Sequence, residues 1–322
     1  MFARLGIRIP IFQAPIGAIA SPRLAAAVSN AGGIGHLAWT WSSLDDIKTQ
    51  CAAMRSTTQR AWGANFVLGF PIEPKLELAL ELGVRVISFF WEHAGKYVPR
   101  VHQAGALAIQ IVGSVESARR AADAGFDLIV AQGRDAGGHV RGEVGTICLV
   151  PEVVDAVCPL PVLAAGGIAD RRGVSAALAL GAAGVWVGTR FIVARESNAH
   201  DDYRAAVMKA SADETLYSTV FDIGWPDAPL RTIHNSTTQA WNAAGRPSRP
   251  NRPGEGDRVA QRHNGDPVVR YSFSAPTQQM EGNAAAMALY AGQGVGLVTK
   301  IEAAAEIVAE LSRGFTSGTA KS

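Results

Sequence analysis

Residues 161–191 read PVLAAGGIADRRGVSAALALGAAGVWVGTRF, and this stretch decides the fold. It opens on an apolar run, Pro161–Gly167, that ends in two glycines. Asp170 then precedes Val174, Ala177 and Leu178 on one helical face, and Gly181 stops the helix. A second apolar run, Gly184–Phe191, follows and carries Gly188-Thr189-Arg190 at its end. Strand, glycine turn, capped helix and strand make a βαβ unit. The runs are continuous rather than alternating, as strands covered on both faces are.

Six runs of the same kind lie upstream: Ile11–Ile16, Gly33–Ala38, Ala61–Leu68, Val84–Trp91, Ala106–Gly113 and Asp127–Gly133. Helix signals separate them. Ser43-Leu44-Asp45-Asp46 resembles a capping box ahead of a stripe of Leu44, Ile47, Cys51 and Met54. Ser114 precedes Val115, Ala118 and Ala122, with Gly125 as the stop. Eight such units at a steady spacing predict an α/β fold, a (β/α)8 TIM barrel, in preference to an open doubly wound sheet. Residues 1–196 and 283–322 are assigned to the barrel, with Ile301–Leu311 as its closing helix. Residues 197–282 break the rhythm and are expected to form a small, mainly helical insertion after the eighth strand. Within it the Arg- and Pro-rich tract from Gly245 to Gly265 reads as a solvated loop, because Glu255, Asp257 and Asp266 are interspersed with its arginines.

Composition sets the outer limits. Of 322 residues, 48% are hydrophobic, enough for one large core. A net charge of +2 and the lack of a basic, aromatic-interleaved stripe argue against a nucleic-acid partner. Cys51, Cys148 and Cys158 are odd in number with no CxxC, so neither a disulfide framework nor a metal site is expected. No secretory signal and no run of about 18 uncharged apolar residues is visible, and a cytoplasmic protein without a membrane partner is expected.

The chemistry is expected at the strand ends. The turns Gly166-Gly167-Ile168 and Gly188-Thr189 follow the seventh and eighth strands, where barrels commonly hold a phosphate on close-approaching backbone N–H groups. Gly33-Ile34-Gly35 and Gly292-Gln293-Gly294 lack the third glycine of a dinucleotide fingerprint, so a mononucleotide in the barrel mouth fits better. After the sixth strand comes Ala131-Gln132-Gly133-Arg134-Asp135-Ala136-Gly137-Gly138-His139. Gln132 can offer an amide to a heterocycle, the glycines let backbone pass a flat ring, and His139 brings a titratable imidazole. His36 and His93 are second-rank pocket candidates on strands two and four. His102, His200, His234 and His263 read as surface or structural residues. No His/Asp/Glu pair has helical metal-site spacing, and there is no GxSxG elbow.

These residues together resemble the nitronate monooxygenase family. The resemblance runs through Pro10–Ile16, Leu24–Gly35, Asn65-Phe66, Gln132–His139, Ala164–Ala169, Gly188–Phe191 and Ala291–Gln293. It implies FMN as cofactor, with Ala14, Pro15 and Ile16 beneath the ring. Asn65, Gln132, Gly137, Gly167, Gly188 and Thr189 would contact it, and the backbone of Trp186 and Val187 would lie nearby. His139 matches the family's catalytic histidine. The implied reaction is oxidation of an alkyl nitronate by O2 to a carbonyl compound and nitrite, and a homodimer is compatible with it. Arg134-Asp135 departs from the pattern, which commonly has a glutamate there, and Trp91-Glu92-His93 is unusually bulky and polar.

Two other readings fit parts of the same pattern. Enoyl-acyl-carrier-protein reductases and NAD(P)H:quinone reductases keep the fold and flavin but take electrons from NAD(P)H. A barrel that merely binds a phosphorylated metabolite would keep the turns and lack the flavin.

Overall fold

The computed structural model describes residues 6–316, so the outermost stretches assigned to the barrel, 1–5 and 317–322, lie outside the described residues. One sheet holds eight strands: β1 (Ile11–Gln13), β2 (His36–Ala38), β3 (Gly63–Val67), β4 (Val86–Phe90), β5 (Leu107–Val112), β6 (Leu128–Gln132), β8 (Val162–Ala165) and β9 (Gly184–Val187). All their pairings are parallel, in the order β1-β9-β8-β6-β5-β4-β3-β2. A parallel bridge between Phe12 and Ile34 joins the two ends, so the sheet closes into the expected barrel. The intervening β7 (Gly138–His139) is a two-residue strand outside it.

Strand pleating explains the continuous apolar runs. Phe12, Val86, Ile109, Leu128, Val130, Leu163 and Trp186 point inward and fill the barrel. Their neighbours Ile11, Ile87, Ala108, Ile129, Ala164 and Val185 point outward against the helices. Around them run α1 (Pro22–Asn30), α2 (Leu44–Thr57), α3 (Glu73–Glu81), α4 (Val98–Gln103), α5 (Val115–Asp123), α6 (Thr146–Val157), α7 (Arg171–Ala179) and α8 (Thr189–Ile192). The caps fall where the sequence puts them. Ser43 Oγ accepts from Asp46 N at 3.1 Å and Asp46 returns the bond, while Asp170 accepts from the N–H groups of Arg172 and Gly173. The buried stripe of α2 is Ile47, Cys51 and Met54; Leu44, in the first turn, faces solvent.

The segment after α8 differs from its expected, mainly helical form. It carries two helices, α9 (Asp201–Lys209) and α10 (Ser236–Ala243), but also β10 (Thr215–Ser218) and β11 (Leu230–Ile233), which form an antiparallel sheet with β7. A second small sheet joins β12 (Arg258–Gln261), β13 (Pro267–Val269) and β14 (Glu281–Gly282). These strands are only two to four residues long, too short for an alternating pattern to announce them, and β7 and β14 pair with partners far away in sequence. Nor is the Arg-rich tract simply solvated. Arg252 is buried, lies over the Tyr271 ring, and is held by Asp222 at 2.8 Å and Glu255 at 2.7 Å. The chain then returns to the barrel through α11 (Ala304–Ser312), shorter than Ile301–Leu311 suggested at its start, with Ile301 exposed.

His36 does not face the mouth as expected. It begins β2, at the far end of the strand, and is fully buried inside the barrel between Phe12 and Trp186, ring centroids 6.0 and 4.6 Å away. Its ring takes the space where a side chain at Gly63, its β3 register partner, would stand. Neither ring nitrogen has a hydrogen-bond partner. Burial pushes its pKa from 6.5 to about 3 and outweighs the nearby Ile34 and Gln13 backbone. The unfolded chain therefore binds a proton at this position that the folded one refuses. Stability from this source is full above pH 6.5 and is lost as pH falls toward 3. We expect His36→Leu to flatten the acid limb of the stability curve by ~2 kcal/mol between pH ~6.5 and ~5. Urea denaturation at the two pH values checks this; an unchanged pH slope in the variant contradicts it.

Candidate active site at the strand C-termini

The inward-facing residues at the strand tops do not meet across the barrel. Ala14, Ala38, Asn65, Val67, Phe90, Ile111, Gln132, Ala165 and Trp186 instead floor a cavity of about 590 Å3. That lies within the usual range of ~300–1,000 Å3 for cofactor and substrate pockets. The loops after the last two barrel strands, Gly166-Gly167-Ile168 and Gly188-Thr189, form one wall. Of the residues singled out from sequence, Ala14, Pro15, Ile16, Asn65, Gln132, Gly137, His139, Gly167, Trp186, Gly188 and Thr189 all line this cavity. Val187 does not: its side chain packs against the helices, and its carbonyl accepts from Ala14 N at 2.8 Å, holding the Ala14–Ile16 turn in place.

The glycines have separable causes. A Cβ on Gly137 would meet Gly292 N at 2.4 Å, and one on Gly294 would meet Gly167 O at 2.6 Å, so the loops pack backbone against backbone. Gly166 and Gly167 have φ of 114° and 69°, which a side chain resists. Gly188 needs neither excuse. Its φ is −107°, and a Cβ there would make only ordinary contacts, 3.5 Å to Ile16 and 3.6 Å to Ala14. It is bare where it borders the cavity, a cradle that a side chain would fill. Next to it Thr189 Oγ1 accepts from Gly292 N at 3.0 Å, which leaves the hydroxyl proton to donate elsewhere.

His139 is fixed by its backbone. β7 pairs with β11 through Leu230 and Arg231, and Gln132 Nε2 donates to the His139 carbonyl at 3.2 Å. The Arg134-Asp135 pair that departs from the family pattern serves the same loop: Asp135 Oδ2 accepts from Thr146 N at 2.6 Å at the start of α6. The imidazole stacks on Trp225 at 4.0 Å between ring centroids, with Trp91, Phe273 and Tyr290 at 5.7–6.2 Å. Its Nε2 is buried and has no hydrogen-bond partner. Burial among these rings pushes its pKa down from 6.5 to about 3, so the imidazole is neutral at physiological pH.

His93 is not brought to the site. β4 ends at Phe90, and Trp91, at φ 84°, turns its own ring toward His139. His93 is left exposed on the outside, edge-on to Phe126 at 6.3 Å. Sequence reasoning also missed the aromatic wall. Trp41, Phe70, Trp225 and Phe273 cluster at 5.1–6.4 Å over the mouth, drawn from separate loops that share no spacing. The only signal was the odd bulk of Trp91. Among the described residues no group of three or more His, Cys, Asp or Glu could hold a metal ion, and no helix is long and apolar enough to cross a membrane.

A closed barrel with a glycine-walled cavity and one unpaired imidazole at its strand tops has the layout of a cofactor-dependent enzyme. The chain belongs to the nitronate monooxygenase family, which it matches over residues 1–71 and 58–314, and whose members use a flavin. It is similar to a hydroxy-methyl-oxo-octahydroindene-carboxyl-CoA dehydrogenase of Mycobacterium tuberculosis, at 38% identity over 231 residues. That stretch covers 71% of this chain and 64% of the relative, less than two thirds of its length. Among solved structures, FabK from Thermotoga maritima superimposes with TM-score 0.78 at 28% identity, covering 98% of this chain and 96% of that one. Nitroalkane oxidase from Streptomyces ansochromogenes gives TM-score 0.79 at 26% identity, with 98% and 99% covered.

Gly188→Val separates a ligand-driven glycine from a structural one. Because its backbone tolerates a side chain, we expect the variant to fold with a near-native melting temperature but to lose at least ~100-fold in flavin affinity, as a branched group enters the cradle. Quenching of flavin fluorescence on titration reads the affinity. Retained affinity would mean that Gly188 does not face the cofactor.

Proposed function

We propose that the chain is an FMN-dependent oxidoreductase that oxidises alkyl nitronates and their parent nitroalkanes with O2, and that His139 is its catalytic base. The observation that carries the reading is a neutral imidazole on the cavity lining whose buried Nε2 has no partner. The cavity fits the cofactor: an open cradle at Gly188, a donor at Thr189, and side-chain amides of Asn65 and Gln132 on the floor. Bound there, FMN would accept two electrons from the substrate and pass them to O2.

The chain's own groups supply the rest. A neutral imidazole can take the proton from the carbon beside a nitro group, which breaks that C–H bond and leaves an imidazolium next to the nitronate it has made. The new anion raises the imidazole's proton affinity, so the ion pair holds together where either charge alone would be costly. A substrate that arrives as the nitronate needs no base, and the imidazole then serves as a hydrogen-bond donor to it. The Trp225, Phe273 and Trp91 rings exclude water from this exchange.

A second reading is favoured by the 38% identity to a dehydrogenase: electrons enter the flavin from NAD(P)H or from a carbon substrate, and O2 is incidental. Anaerobic mixing separates the two. Flavin absorbance bleached by ethyl nitronate, with NADH inert, supports oxidation of nitronates; rapid bleaching by NADH alone supports the second reading.

We expect His139→Ala to keep FMN bound while turnover of neutral nitroethane falls by ~100- to 10,000-fold. In the intact enzyme kcat/KM for nitroethane is expected to lack an acid limb between about pH 5 and about pH 7, because the free imidazole stays unprotonated there. An inflection at the ordinary histidine value would contradict the burial argument. Unchanged turnover in the variant would remove His139 from the mechanism.

A further inference from the structure

The arginines of the tract after Gly245 are nearly all accounted for. Arg246 lies over the Trp241 ring and donates to Asn242, Arg249 and Arg252 pair with Glu255, and Arg258 donates to Gln261. Just beyond it, Arg270 faces Asp257. Arg262 differs from Arg246 and Arg258, which also have only neutral partners, in where it sits. It lies on the cavity wall, and its guanidinium donates to a neutral group, Ser274 Oγ, at 2.6 Å. No carboxylate stands within ion-pair distance of it among the described residues.

The seat of that guanidinium is itself ordered. Ser274 is buried, and its Oγ accepts from Ser272 Oγ at 3.2 Å as well as from Arg262, which leaves its own proton free to donate. The preceding residue, Phe273, belongs to the aromatic wall with Trp41 and Trp225. An unneutralised cation with several spare N–H donors therefore sits on the wall of a cavity whose other lining residues are apolar, aromatic or uncharged polar. A short nitroalkane would use neither feature.

We propose that Arg262, seated by Ser274, is a substrate-specificity residue, and that the substrate is amphipathic: an apolar body lying against Trp41, Trp225 and Phe273, carrying a carboxylate or phosphate that Arg262 binds. Planar guanidinium matches either oxyanion in a bidentate pair, and the half-buried setting strengthens it relative to open solvent. The proposal rests on reading this cavity as the flavin and substrate site, and it adds the class of molecule that enters it. The acid is remote from the reacting carbon, so the residue acts on binding rather than on chemistry.

The test uses the FMN-loaded protein and three probes that share one ring system: naphthoate, naphthyl phosphate and the neutral naphthylmethanol. Tryptophan fluorescence reports their binding, since Trp41 and Trp225 form the wall. The intact protein is expected to bind at least one anionic probe about tenfold tighter than the alcohol, and the comparison of naphthoate with naphthyl phosphate tells which oxyanion is preferred. Arg262→Met should erase that preference and leave alcohol binding and FMN affinity unchanged; Arg262→Lys should restore part of it. No anion preference in the intact protein, or one that survives Arg262→Met, overturns the proposal. A fall in FMN affinity in Arg262→Met also overturns it, since the residue would then serve the cofactor. Should Arg262→Met fail to fold by circular dichroism, Ser274→Ala gives the same reading through a loosened guanidinium, with a smaller loss of preference expected and none contradicting the claim. If FMN does not bind the intact protein while the Arg262-dependent preference persists, the flavin reading fails and the anion subsite stands.

Discussion

The site depends on main chain packed against main chain where three loops meet. Gly137 abuts Gly292, and Gly294 abuts Gly167, at separations that leave no room for a single side-chain carbon. The Gln293 N–H donates to the Asp135 carbonyl at 2.9 Å across the same junction. Here the segment returning from the insertion is sewn to the loops after the sixth and seventh barrel strands. Interiors pack densely enough that one added methyl must move something, and here the things to be moved are backbone. The junction thus fixes the distance between the imidazole loop and the turn at Gly166-Gly167, which sets the shape of the mouth.

From that junction the chemistry follows in sequence. The returning segment brings Tyr290 against His139, and the β10–β11 hairpin brings a partner strand for β7. With its backbone paired on one side and its carbonyl held by Gln132 on the other, the imidazole has little freedom. Its ring is pressed against Trp225, and burial keeps it neutral. The insertion is therefore part of the active site rather than an ornament of the barrel. It supplies the desolvation that keeps the His139 imidazole neutral, and it carries the Arg262 cation on the cavity wall.

How much of this could be read from the chain depends on the range of the interaction concerned. The barrel was legible because each strand is covered on both faces and each helix is capped locally; Ser43, Ser114 and Asp170 announce their helices within three residues. The glycine turns were legible for the same reason. His36 and His93 were misplaced because strand pleat and end matter more than strand membership: His36 starts β2, and the chain turns at Trp91 before His93 is reached. The sheets of the insertion and the aromatic wall were not legible at all. The strands are too short to show a period, and the wall gathers rings from loops tens of residues apart, with no cap to mark them. The resemblance to a family carried the site residues further than the local pattern did, but it could not tell that the imidazole is neutral, which follows from rings packed around it.

We propose that the cavity at the strand tops cradles the phosphate of FMN between the turns at Gly167 and Gly188, with the flavin ring beneath His139. A crystal structure of the protein grown with excess FMN tests it most directly. Phosphate density is expected against the Gly166–Ile168 and Gly188-Thr189 backbones, and ring density between the Ala14–Ile16 turn and the imidazole. An empty mouth, or FMN bound with its phosphate at Arg262 instead, would contradict it.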